Sequence, residues 1–118
     1  MRRSGAAAKL NAAQSDKKKK ATEYGLALAN FFLRRFEIAS SWITKSLARQ
    51  KNFAPAQRFA LVSYAMLGRI ADAQMMQARL LEAGIDLTIS QLKKRIPYQR
   101  QEDVDLFIEA LRIAGVPE

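Results

Sequence analysis

The sequence contains neither cysteine nor histidine. That excludes disulfide staples, thiol nucleophiles, zinc-finger ligation and every catalytic triad that turns on an imidazole. Glycine (5) and proline (3) are also scarce among the 118 residues. An all-β chain of this size would need many more turn residues, so the composition favours helices. Long apolar runs are missing too. No segment approaches the roughly 20 residues needed to span a bilayer. After Arg2 and Arg3, residues 4–14 hold one large apolar residue, Leu10, which is no signal-peptide core. A basic, alanine-rich start also fits the composition of a transit peptide, but a cytoplasmic protein is the expectation.

The chain is long enough for one domain, and its hydrophobic share of 49% is that of a globular protein. Its net charge of +9 is unevenly spread. Residues 1–20 carry seven basic side chains against Asp16, or +6, which leaves +3 for residues 21–118. The leader mixes Ala, Ser, Gln and Lys with almost nothing to bury, so it is expected to be disordered. Its run Lys17 to Lys20 would suit nucleic acid, an anionic membrane or an acidic partner. Four lysines without interleaved aromatics equally describe a solvated charge run.

From Ala21 the apolar residues adopt helical spacing. Tyr24, Leu26, Ala27, Leu28, Phe31 and Phe32 form one apolar surface, ending at Arg34-Arg35. Ile38, Ala39, Trp42, Ile43 and Leu47 follow at spacings of three and four, the signature of one buried helix face. Asn52 to Pro55 interrupt the pattern, with Pro55 suited to a helix start. Phe59, Leu61, Val62, Tyr64, Ala65 and Leu67 predict a third helix closed by Gly68. Ile70, Ala73, Met76, Leu80 and Leu81 predict a fourth closed by Gly84. Two shorter helices are expected over residues 87–94 and 104–114.

The two hairpins repeat. A shift of 34 residues places Leu33 on Leu67, Arg35 on Arg69, Ala39 on Ala73, Lys45 on Arg79 and Leu47 on Leu81. That period belongs to the tetratricopeptide repeat, or TPR. Tyr64, Gly68 and Ala73 have the spacing the repeat prefers, while the first copy has Asn30 and Arg34 at the first two places. Neither copy has the usual proline after its second helix; Lys51 and Ile85 stand there. The expected fold class is all-α, a TPR-like α-α superhelix. Residues 1–20 form its leader, 21–86 two stacked hairpins and 87–118 a C-terminal helical cap.

The end of the chain carries a further likeness. Leu87-Thr88, Ser90, Leu92, the basic run Lys93 to Arg95, Pro97-Tyr98, Glu102-Asp103, Glu109 to Arg112, Ala114-Gly115 and Pro117-Glu118 follow one another in order. Together with residues 52–69, this resembles the C-terminal TPR region of bacterial class III adenylate/guanylate cyclases of the rhizobial type. The likeness covers residues 22–118. Some TPR-bearing winged-helix transcriptional regulators end in a similar way, so the tail does not specify a head domain. In the cyclase family the catalytic domain is a larger βα sandwich with paired metal-binding aspartates. The aspartates of this chain are Asp16, Asp72, Asp86, Asp103 and Asp105. Asp103 and Asp105 would diverge by about 200° on one helix, too far to share a metal easily. No cyclase site is carried over.

Other chemistry is sparse. The glycines are too scattered for a phosphate loop. Ser40, Ser41 and Thr44 have no histidine to activate them. Glu37, Glu82 and Glu109 read as surface helix charges, Trp42 as packing, and Met66, Met75 and Met76 as core filling with an adaptable surface as the alternative. The expectation is a non-enzyme without metal or cofactor. Binding remains. In stacked hairpins the first helix of each pair lines a concave groove. The likeness to the repeat places Tyr24, Leu28 and Phe31, with Arg58, Val62 and Ala65, on that groove, where a peptide or helix of an unknown protein partner would dock. Arg58 would pair with its carboxylate. The competing expectation is that the leader or a neighbouring subunit covers these faces. Two hairpins are fewer than a stable array usually needs, and nothing evident caps the first. An exposed Tyr24, Phe31 and Phe32 patch, and homodimerisation through the first hairpin, are therefore expected. The rival functions are a nucleic-acid-associated protein that uses the lysine run, and a remnant of a larger gene.

Overall fold

Helix boundaries follow the two periodic segments and their breaks. The computed structural model describes residue 18, residues 21–95 and residues 100–118. Among these residues all regular structure is helical: α1 over 21–32, α2 Phe36–Arg49, α3 Ala54–Met66, α4 Ile70–Glu82, α5 Ile89–Arg95 and α6 Gln101–Ile113. Apart from Lys18, the leader expected over residues 1–20 lies outside the described residues, as do Pro97 and Tyr98 of the C-terminal likeness.

Helices α1/α2 and α3/α4 form two hairpins whose turns repeat bond for bond at 34 residues. The Arg35 N–H donates to the Asn30 carbonyl and the Arg34 N–H to that of Phe31. One period later Arg69 donates to Tyr64 and Gly68 to Ala65. These paired bonds close a helix through one left-handed residue. That residue is Gly68 at φ +77° in the second hairpin and Arg34 at φ +62° in the first. Gly84 and Gly115 end α4 and α6 in the same way. Arg34 thus has the same backbone turn as Gly68, with arginine in a conformation that suits glycine. Small residues let the helices approach: Ala39 and Ala73, one period apart, are both fully buried.

Helix α3 is the hub. It packs against α2, α4 and α6, and nine of its 13 residues are buried. A helix surrounded in this way needs apolar or small residues on every side. Phe59, Leu61, Val62 and Tyr64, with Ala56, Ala60 and Ala65 between them, supply that. Its two buried polar side chains are answered: Gln57 Nε2 donates to the Lys51 carbonyl at 3.1 Å, and among the described residues no buried side-chain polar atom lacks a partner. Pro55 sits in the first turn of α3, where no N–H is needed.

The peripheral helices bury narrower stripes, Ala39, Ser40, Ile43 and Ser46 in α2, and Ala73, Met76 and Leu80 in α4. Two residues expected on these stripes turn outward instead. Ile38 is 47% exposed and Leu81 is 54% exposed. Each is sequence-adjacent to a buried residue, Ala39 and Leu80, and a peripheral helix has room for only one of such a pair. Helix α6 begins three residues before its apolar pattern. Glu102 and Asp103 occupy its first turn, where carboxylates favour the positive end of a helix. Its far end returns to α5: the N–H groups of Ile89 and Ser90 donate to the carbonyls of Pro117 and Glu118 at 2.8 and 3.0 Å.

Candidate interaction surface

All six phenylalanines and Tyr24 belong to one ring network, which decides which faces stay open. Tyr24 meets Phe53 and Phe59 edge-on at 5.5 and 6.0 Å. Phe31 contacts Phe32, Phe36 and Phe59 at 5.2, 5.4 and 5.7 Å. Phe107 of α6 then closes over both hairpins, 6.5 Å from Phe31 and 5.5 Å from Phe59. Edge-to-face pairs of this kind contribute about 0.5–1.5 kcal/mol each beyond simple burial. They bind α1, α3 and α6 into one core.

This arrangement separates the five residues expected to bind a partner. Phe31 and Val62 are fully buried and offer no surface. Tyr24, Leu28 and Arg58 are half-buried along the margin of the same core. Burial pushes the Tyr24 phenol above its ordinary value, while the neighbouring Arg58 charge pulls it back. Of the patch expected to be open, Phe31 is buried, with Phe107 on it, and Tyr24 and Phe32 are half-buried against Phe59. Glu23, buried on α1, accepts from Arg49 at the end of α2 at 3.0 and 3.1 Å, fixing the two helices antiparallel.

The side chains left open gather where the α1–α2 and α3–α4 turns lie side by side. Arg34, Arg35, Phe36, Glu37, Ile38 and Leu67 line a cleft of about 380 Å³. A neighbouring cleft of about 320 Å³ shares Glu37 and Leu67 with it and adds Ser40 and Arg69. Leu33, 61% exposed, lies in the same turn as Arg34. Arg69 is held in place: its Nη2 is 2.8 Å from Asp72, and its guanidinium lies 4.6 Å from the centre of the Tyr64 ring. The α1–α2 turn therefore presents two arginines and two exposed aliphatic side chains beside a third, anchored arginine. Sequence periodicity missed this surface because Ile38 was assigned to the buried stripe. Arg34 in a glycine position was the signal that pointed to it.

A third cleft of about 300 Å³, at the opposite turns, is lined by Lys51, Asn52, Gln57, Arg79, Glu82 and Ile85 among others. Trp42 packs half-buried, with the Lys45 ammonium 4.6 Å from its ring centre. The methionines do not share a surface: Met76 is buried, Met66 half-buried and Met75 exposed. Among the described residues no group of three or more acidic side chains is placed to hold a metal ion, and no helix is long and apolar enough to cross a membrane. No protein-family model matches this chain, and neither a curated protein nor a solved structure does.

Proposed function

We propose that the chain is a non-catalytic, TPR-like protein-interaction module, resembling the C-terminal region of a cyclase-like signalling protein. The observation that carries this reading is the 34-residue structural period. Helix ends, turn hydrogen bonds, the left-handed residue and the buried alanine all recur between the hairpins, at Arg34 and Gly68 and at Ala39 and Ala73. Stacked hairpins of this period serve as scaffolds whose outer side chains select partners. The C-terminal helices α5 and α6 then act as the cap, with α6 covering apolar surface that a longer array would cover with its next hairpin.

The test is native copurification of the full chain from the cells that encode it, followed by mass spectrometry. It is repeated with two surface variants, Leu28→Asp/Arg58→Glu and Arg35→Glu/Ile38→Asp. A protein recovered in stoichiometric amount by the parent chain, and lost with one of the two variants, is the expected result. Recovery that neither variant alters, or no stoichiometric partner at all, overturns the module reading.

A further inference from the structure

We infer that the edge formed by the α1–α2 and α3–α4 turns is a docking site for an acidic protein segment, one in which a bulky apolar side chain is flanked by carboxylates. The inference rests on the reading of the chain as an interaction module and names the surface and the partner chemistry within it. Three observations converge on this edge.

The first is composition. Two aliphatic side chains stand out into solvent here, Leu33 at 61% and Ile38 at 47%, and Phe36 and Leu67 line the cleft next to them. A cleft of about 380 Å³ takes one large side chain from a partner. A continuous layer of anionic headgroups would meet Glu37 wherever it meets Arg34 and Arg35, whereas a protein segment can set its carboxylates at the arginines and its apolar side chain at the cleft. A protein segment is therefore favoured over a membrane.

The second is charge. Arg34 and Arg35 flank the cleft, and Arg69 stands beside Leu67 in the adjoining one. Asp72 and the Tyr64 ring orient Arg69, which gives Nε and Nη2 to that carboxylate and keeps only its remaining donors for a second anion, so Arg34 and Arg35 carry most of the attraction. Guanidinium groups grip carboxylates with paired hydrogen bonds, and an apolar anchor between carboxylates matches their placement around the cleft.

The third is backbone strain. Of the four left-handed helix ends, three are glycine and one is Arg34 at φ +62°. Glycine would meet the same geometry with no side-chain penalty, so the chain sets an arginine side chain at this edge at a conformational cost that the turn itself does not require.

The probe is a fluorescently labelled synthetic peptide with one leucine between two runs of glutamate, titrated into the full isotope-labelled chain. Fluorescence anisotropy gives affinity, and amide chemical shifts give the site. Saturable binding is expected, with shifts confined to residues 33–38 and 67–69. Replacing the peptide leucine by alanine, or its glutamates by glutamine, weakens binding about tenfold or more. Arg35→Glu and Arg34→Gly each lower affinity by about tenfold while helical circular dichroism is unchanged. Arg79→Glu, at the far cleft, leaves affinity within about twofold, since a distant exposed charge adds only screened attraction. Shifts scattered over other basic residues, equal binding of the alanine peptide, or no binding overturns the proposal. Binding of these residues to equimolar phosphatidylcholine–phosphatidylserine vesicles but not to the peptide also overturns it. A copurifying protein that is lost with Leu28→Asp/Arg58→Glu and retained with Arg35→Glu/Ile38→Asp would refute this surface while the interaction module stands.

Discussion

Replacing Arg34 by glycine is expected to stabilise the protein, and the reciprocal change one period later should do the opposite. Arg34 has φ +62° and Gly68 has φ +77°, at equivalent points of two turns closed by equivalent hydrogen bonds. A side chain in this conformation costs about 1–2 kcal/mol, because Cβ crowds the following carbonyl. Glycine removes that cost but has more freedom to lose on folding, about 0.5–1 kcal/mol. The net gain for Arg34→Gly is therefore about 0.5–1 kcal/mol. At Gly68 a built Cβ has no heavy atom within 4 Å, so Gly68→Ala measures the backbone penalty without a packing contribution. Its expected loss is about 0.5–1 kcal/mol. In a domain of this size each kcal/mol moves Tm by roughly 4–8 °C, so the two variants should bracket the parent by several degrees. Thermal and urea unfolding, followed by circular dichroism, read both values. A destabilised Arg34→Gly, or a Gly68→Ala variant as stable as the parent, would refute the equivalence of the two turns. Arg34→Gly is also expected to weaken acidic-peptide binding, so that one substitution raises stability and lowers affinity.

Phe107→Ala removes the ring that closes the face of both hairpins and should destabilise the chain by about 3–4 kcal/mol, measured by urea unfolding, with dye binding reporting newly exposed rings around Phe31 and Phe59. A loss under about 1 kcal/mol would mean that α6 is not part of the core. The Tyr24 phenol, raised chiefly by burial and lowered by Arg58, should titrate above its ordinary value, and Arg58→Met should raise it further in an ultraviolet titration. A folded value above the unfolded one means that the folded state holds the proton more tightly. This contribution to stability is fully present below about pH 10 and is lost as pH rises through the folded value. An unshifted Tyr24, or one that Arg58→Met lowers, refutes the assignment.

The hairpins were legible in the sequence because local signals agreed: period, Pro55 at a helix start, and Gly68 and Gly84 at helix ends. Tertiary choices were not. Ile38 and Ala39 are consecutive, as are Leu80 and Leu81, and periodicity alone does not say which member of a pair faces inward. Packing decided for Ala39 and Leu80. Helix α6 was legible as an amphipathic element but not as the cover of α1 and α3, since the contact between Phe31 and Phe107 joins residues far apart in the chain. For the same reason Phe31 and Val62 read as groove residues by analogy with longer arrays, whereas here their surface is consumed by the core.

That consumption decides which faces stay open. A concave groove needs surface to spare on the first helix of each pair, and here α3 packs against α2, α4 and α6. Its nine buried residues leave little for a ligand. The turns are under no such demand. They lie at the ends of the helices, bury few side chains, and are fixed by main-chain bonds that hold whichever residues occupy them. Exposed side chains with a rigid backbone beneath them therefore collect at the turns, and there the aliphatic Leu33 and Ile38 stand beside Arg34 and Arg35, where solvent contact alone would permit small or polar residues.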